Sequence, residues 1–474
     1  MKYTKYLFFL FIALFVSACS DDKNEPDVKG KEDERPETLA WIEDTMRERY
    51  YWRAELDSKL NYGSDPETFF YDLLNNKDGK WYKDKTTKQD IHSPYSYIKR
   101  KSDKTRGFIQ DDYSYGFEFV TVNFQDGIGA CILYVLPNSP ASGKLERGDW
   151  ILEIDKKALT NDNTKILFGG NKTTFTIAQW DSSIGTIGGF VDRKEIEIDA
   201  ATKIEDNPIF HYDLLERNNN KIGYLIYNHF TAGKDDEGTA YDDELRNLSG
   251  GLFNGVNEFI LDLRYNNGGL LQSAKLLCAI FTPSAYLNQT FGALQYKYKD
   301  ESSRVNFTVN QTLKTGRNLN LKRLYVLVSS MSASSSEAVI NLLNPFMEVI
   351  LIGETTEGKN VGSIEYTSED KVWEIHPIVC EISNSKGFTD YASGFEPNYS
   401  KGDAFDYNSE REITAIPELR PLGDENERLL NIALGLIEGT YTRGNGTRSS
   451  EPIIAKKPKY SLERKATNGV IINN

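Results

Sequence analysis

The stretch from Leu324 to Ser363 constrains the fold of this 474-residue chain more than any other. Its first apolar run, Leu324 to Val328, is short and rich in valine, and Glu337 to Leu343 carries apolar side chains at helical spacing before Pro345. A second apolar run, Val349 to Ile352, leads through Gly353 to Lys359. Period and punctuation predict strand, tight turn, helix, strand and loop, and so an α/β fold. A serine cluster, Ser332 to Ser336, falls at the N-terminus of that helix. The first N–H groups of a helix lack intrahelical partners and carry the positive end of its dipole, so they can hold a developing oxyanion. Ser334 and the N–H of Ser335 are the candidates. Lys359 is the only basic side chain between Arg323 and Lys371 and could act as a base. The same residues also fit a plain N-cap cluster and a solvated loop lysine.

The string Ser332-Ala-Ser-Ser-Ser-Glu337, with Gly353-Glu-Thr-Thr-Glu-Gly-Lys359 downstream, resembles the C-terminal processing (tail-specific) serine peptidases. Their motifs are Ser-Ala-Ser-Ala-Ser-Glu and Gly-Glu-x-Thr-x-Gly-Lys-Gly. The resemblance implies that Ser334 is the nucleophile and Lys359, 25 positions on, the general base. Two residues depart from the pattern: Asn360 stands where the family usually has glycine, and Ser363 where some members place a glutamine that orients the lysine. A phosphate-binding G-x-x-x-x-G-K-[ST] loop overlaps Gly353 to Asn360 but fails at its last place. Asn360 lacks the hydroxyl that would hold Mg²⁺, and Glu354 and Glu357 would oppose phosphates.

A second signature lies upstream. Glu258 to Arg264 reads as a buried strand ending at Tyr265-Asn-Asn-Gly-Gly269, similar to the family's Asp-Leu-Arg-x-Asn-x-Gly-Gly. The resemblance implies that Gly268 or Gly269 supplies an oxyanion-hole N–H beside that of Ser335. Taken alone, the segment would be a glycine-capped strand-to-helix turn.

Between residues 109 and 203 the pattern turns to short strands. Tyr115-Gly-Phe-Glu-Phe followed by Val135-Leu-Pro-Asn-Ser-Pro-Ala-Ser-Gly-Lys-Leu-Glu-Arg-Gly-Asp-Trp-Ile-Leu-Glu-Ile-Asp155 resembles a PDZ domain. Such domains add a peptide C-terminus as a strand to a sheet edge. The implied carboxylate-binding loop is Ser114, Tyr115, Gly116 and Phe117, although the loop is shorter in glycine than a full Gly-Leu-Gly-Phe and could simply pack against its neighbour.

The rest of the chain divides around these segments. Residues 1–19 show Lys2 and Lys5, an apolar core and Val16-Ser-Ala-Cys19, the pattern of a secretory signal too short to span permanently. The junction resembles a bacterial lipoprotein box, which makes Cys19 a lipidated anchor. Ser20-Asp-Asp-Lys23 resembles the acidic tag that displays some lipoproteins of Gram-negative bacteria on the outer membrane, so the expected place is the cell envelope, lipid-anchored to that membrane. Residues 20–36 are charged or polar, with two prolines, and read as a flexible linker. Residues 37–108 are expected to form a small N-terminal helical domain, with Leu39, Ile42 and Met46 on one helical face and Tyr50, Tyr51 and Trp52 packing it on its neighbour. For residues 204–438 the resemblance implies a protease core of ClpP/crotonase-like α/β architecture beside a PDZ β-barrel-like domain. Residues 439–474 lack periodicity and read as a flexible tail.

A net charge of −14 and a pI near 5.0 argue against a nucleic-acid partner. Cys131, Cys278 and Cys380 sit in apolar runs and predict buried free thiols, and the four histidines have no metal-ligand spacing, so neither metal nor cofactor is expected. The implied chemistry is endopeptidase cleavage of proteins or peptides, with capture of their C-termini. Lys359 must then lose about 3 pKa units from ~10.4, roughly 4 kcal/mol, to serve as a neutral base. The competing reading is a surface-tethered peptide-binding lipoprotein that has lost its chemistry through Asn360 and Ser363.

Overall fold

A computed structural model describes residues 35–83, 89–101, 113–124, 127–185, 188–234, 238–298, 301–407, 413–442, 458–462 and 470–472. The signal segment, Cys19 and most of the linker lie outside the described residues. Among those described, no helix is long and apolar enough to cross a membrane.

The centre is a six-stranded sheet in the order Ile209–Arg217, Asn220–Tyr227, Glu258–Asp262, Arg323–Val328, Glu348–Gly353, Tyr399–Ser400. Only the first pair is antiparallel. Side chains alternate across a strand, and here both faces are apolar. Leu225, Phe259, Leu261, Leu324 and Val326 face one core with helices Leu271–Phe281 and Ser335–Leu343. Tyr224, Ile226, Ile260, Tyr325 and Leu327 face the other with helix Arg428–Glu438. Near-continuous apolar runs are what a parallel sheet covered on both faces requires. The expected α/β core is present, with Ser334 to Ser336 where the sheet hands over to a helix.

Residues 113–203 form a separate antiparallel sheet around Phe117–Phe124, Gly127–Val135, Trp150–Ile154, Thr173–Asp181 and Gly189–Ile198. Its interior holds Tyr115, Phe117, Phe119, Ile132, Ile151 and Phe175. A second cluster, with Trp150, Tyr265 and Phe405, joins it to the core.

The N-terminal region is less helical than expected. Helices Glu37–Arg49 and Pro66–Asp72 are followed by strands, of which Tyr97–Arg100 pairs with Trp373–His376 of the core. That partner lies more than 270 positions away, so local sequence could not reveal the pairing. Tyr51 does pack on the core as expected, donating its N–H to the Ile378 carbonyl at 2.8 Å. Cys131, Cys278 and Cys380 are buried free thiols.

The stretch 439–474 is not uniformly irregular. Lys459–Tyr460 adds antiparallel to Phe117–Phe124, and Val470–Ile471 adds parallel to Val361–Ser363. Each strand is only two residues long, too short for a period to show in the sequence, and each exists through pairing with a distant strand.

Candidate active site

The turn after Arg323–Val328 is laced to the Leu263–Gly269 loop by serine hydroxyls. Ser332 Oγ donates to the Leu263 carbonyl at 2.7 Å, Ser335 Oγ to Gly269 at 2.6 Å and Ser336 Oγ to Asn266 at 2.9 Å. Ser329 Oγ donates to Arg264. Ser334 differs: its hydroxyl is buried and has no hydrogen-bond partner among the described residues. Its backbone sits at φ 63°, ψ −110°, a conformation that costs a non-glycine residue on the order of 1–3 kcal/mol. The surrounding bonds hold it there, at the N-cap of Ser335–Leu343.

Lys359 is 2% exposed, and its ammonium nitrogen also lacks a hydrogen-bond partner among the described residues. Burial pulls its pKa down to about 8, against the opposing pull of Asp78, Glu357 and Glu337. Its Nζ lies 4.5 Å from the centre of the Tyr95 ring, so a π face rather than an acid covers the charge.

One carboxylate ties the two residues together. Glu337 Oε2 accepts from the N–H of Ser334 at 2.9 Å and of Lys359 at 2.8 Å. Its other oxygen accepts from Gly358 N–H and from Thr356 Oγ1, both at 2.6 Å. Burial pushes the Glu337 carboxyl up, and these donors pull it back. Glu337→Gln turns an amide against converging donors and leaves at least one of them unpaired. We expect a loss of about 1–3 kcal/mol by urea unfolding, with a larger fall in kcat than rise in KM.

Gly268 lies against Ser334: a Cβ there would stand 2.7 Å from Ser334 Cβ and 3.0 Å from Ser335 N. Its φ of 105° also demands glycine. The Gly268 N–H donates to Asn266 Oδ1 at 2.8 Å. Asn360 and Ser363, the two departures, are built into the scaffold. Asn360 Nδ2 donates to the Thr389 carbonyl at 2.8 Å, and Ser363 lies in the Val361–Ser363 strand.

The Ser114–Phe117 loop stands apart from this centre. Gly116, at φ 84°, donates its N–H to Ser114 Oγ at 3.0 Å, while Tyr115 and Phe117 face the interior of their own sheet. The open edge of Phe117–Phe124 carries Lys459–Tyr460. Glu365, Glu374 and His376 bring three potential ligand atoms within 4.8 Å of one another, but Lys99 and Lys101 already neutralise Glu374 at 2.9 and 3.2 Å.

Three residues beyond those expected shape the centre. Glu337 was legible as the last place of a Ser-x-x-Glu capping box. Tyr95 and Asp78 were not legible. Asp78 is fully buried and accepts from Tyr50 O–H and from the N–H groups of Tyr95 and Ser96, which sets the Tyr95 ring over Lys359. No local pattern connects residue 95 to residue 359.

Residues 221–383 match peptidase family S41, and residues 37–97 match the peptidase S41 N-terminal domain. The chain is 27% identical over 236 residues to a carboxyl-terminal-processing protease of Picosynechococcus, covering 48% of this chain and 50% of that protein. It is 25% identical over 289 residues to the carboxy-terminal processing protease CtpA of Bacillus subtilis, covering 59% and 54%. The chain thus spans about half the length of these curated relatives. It also overlays on the crystal structure of a Bacteroides fragilis protein assigned to the S41 proteases, with a TM-score of 0.71 and 31% identity over 89% of this chain and 100% of that one. With a family match on both its N-terminal region and its core, and a solved relative covered from end to end, the chain belongs to peptidase family S41.

Proposed function

We propose that the protein is a serine endopeptidase working through a Ser334–Lys359 dyad. The observation that carries this reading is the pairing, on one Glu337 oxygen, of a strained serine whose hydroxyl is uncommitted and a buried lysine drawn down to about 8. Neutral Lys359 takes the Ser334 proton as the oxygen attacks the substrate carbonyl. The amine leaves with a proton, and water then releases the acyl group. The N–H groups of Ser335 and Gly269 hold the oxyanion, since Gly268 donates to Asn266. Residues 113–203 act as a PDZ domain that takes substrate C-termini at Ser114–Phe117, with a substrate strand displacing the chain's own Lys459–Tyr460 from the edge of Phe117–Phe124. Cys19 is the lipid anchor, which places the enzyme in the cell envelope at the outer membrane.

Cleavage of casein across pH tests the dyad. The base must be neutral, so kcat/KM climbs about tenfold per pH unit below 8 and levels above it, with pH 6 at about one hundredth of the plateau. A flat profile from pH 5 to 9 contradicts Lys359 as the base.

A further inference from the structure

The Val470–Ile471 strand lies between the two segments that frame the dyad. On one side it runs parallel to Val361–Ser363, which begins two residues after Lys359, with Gly362 opposite Val470 and Ser363 opposite Ile471. On the other, Ile471 is bridged to Leu270, the neighbour of Gly269. The Ile471 N–H donates to the Gly269 carbonyl and the Ile472 N–H to the Ser363 carbonyl, both at 3.0 Å. One acceptor thus belongs to the glycine loop beside Ser334 and the other to the strand that follows the lysine. Gly362 leaves the room: a Cβ there would stand 2.9 Å from Ile472 Cδ1. Ile472 packs against the main core.

The same segment is engaged upstream. Lys459 and Tyr460 lie opposite Thr121 and Val120, and Phe119 N–H donates to Ser461 Oγ at 2.8 Å. Leu462 is 1% exposed, and its carbonyl accepts from Asn267 Nδ2 at 2.9 Å, within the glycine loop. One stretch of chain therefore adds as a strand first to the antiparallel sheet and then beside the dyad. Strand addition binds through backbone hydrogen bonds and selects through the pockets that meet the side chains.

We infer that residues 470–472 occupy the peptide track of the active site. The track takes an extended, uncharged, β-branched segment as a strand between Gly269–Leu270 and Val361–Ser363, and the chain's own segment competes with substrate for it. That competition rests on the dyad proposed above; the pairing of residues 470–472 with Val361–Ser363 and Leu270 does not. A tethered segment acts at an effective concentration of roughly 1 mM, so a strand that binds at about 0.1 mM weakens an outside peptide about tenfold.

The test compares three chains that all carry Ser334→Ala: the full chain, a chain ending at Leu462, and the full chain with Ile471→Pro. Ending at Leu462 keeps the upstream strand and the Leu462 anchor. Proline removes the N–H that Gly269 accepts. The probe is a fluorescein-labelled peptide of residues 466–474, Ala-Thr-Asn-Gly-Val-Ile-Ile-Asn-Asn. We expect the shortened and proline chains to bind it about tenfold more tightly than the full chain, and a peptide with aspartate at both isoleucines to bind none of them. Equal affinity in all three chains overturns the inference. With Ser334 restored, KM for a peptide substrate falls about tenfold in both variants, and an unchanged KM overturns the competition. Absence of cleavage in every chain, with the binding difference intact, would refute the dyad and leave the occupancy standing.

Discussion

With the proposed dyad, Ser334→Ala and Lys359→Met should each reduce kcat/KM on an unfolded protein such as casein by on the order of 10⁵-fold, because members of one catalytic unit fail together. Alanine removes the attacking oxygen. Methionine keeps most of the lysine volume and removes the base. The second variant also separates chemistry from folding. Lys359 is wholly buried, and its pKa near 8 lies below the ~10.4 of an unfolded chain. The unfolded state therefore binds more protons between those values. Stability rises with pH across that window, and below pH 8 the native state carries the full penalty, about 3 kcal/mol. Lys359→Met should then be more stable than wild type at pH 7, with the gap closing between pH 8 and 10.4. Inactive and stabilised is the expected pair of results. An inactive, destabilised Lys359→Met would point to a structural lysine, and an active one would end the dyad reading.

Arg264→Met should destabilise the chain by about 3–5 kcal/mol at neutral pH. The Arg264 guanidinium has no exposed surface and meets Asp262 at 2.8 Å, Asp403 at 2.6 Å and Glu427 at 2.7 Å. Arg147, from the antiparallel sheet, shares Asp403 at 2.8 Å and donates to the Tyr265 hydroxyl, which in turn donates to Asp403. Two guanidiniums thus balance three buried carboxylates. Burial alone would raise the Asp403 carboxyl, but Arg147 and Arg264 outweigh it and hold it at about 2. In the wild type that contribution is present above the unfolded value of ~3.9 and is lost as pH falls through about 2. Without Arg264, three carboxylates face Arg147 alone, and the native state relieves them by taking up protons. The deficit should be greatest near pH 7 and shrink toward pH 4, as read by urea unfolding at each pH. A deficit that does not change with pH would mean that lost packing, rather than unpaired charge, sets the cost. The cluster also fixes the position of Tyr265, next to the Asn266–Gly269 loop, so casein cleavage should fall in the variant even where it remains folded.

Much of the site could be read locally. Strand, turn and helix from Leu324 to Leu343 follow from side-chain period and from Pro345, and the serine cluster falls at the helix N-terminus because the pattern changes there. Ser334, Lys359 and the Gly268–Gly269 pair could each be singled out locally because each belongs to a short motif; in the fold Glu337 ties the backbone of Ser334 to that of Lys359, and Gly268 lies against Ser334. The α/β class and the antiparallel unit over 113–203 were legible for the same reason. The free thiols were legible from the apolar runs around them.

Other features depend on partners far away in sequence, where local pattern carries no signal. Ser334 is distinguished from Ser332, Ser335 and Ser336 by which hydroxyls find carbonyls on the Leu263–Gly269 loop. The Tyr95 ring over Lys359 and the pairing of Tyr97–Arg100 with Trp373–His376 join segments far apart in sequence. Val470–Ile471 is a strand only because Val361–Ser363 and Gly269 offer it acceptors. By itself the sequence determined which chemical groups are present and which short elements hold them, because period, caps and turns act over a few residues. The tertiary structure decided which hydroxyl stays uncommitted, how far the lysine loses its charge and what lies beside the dyad, because burial and hydrogen-bond partners are properties of the assembled fold.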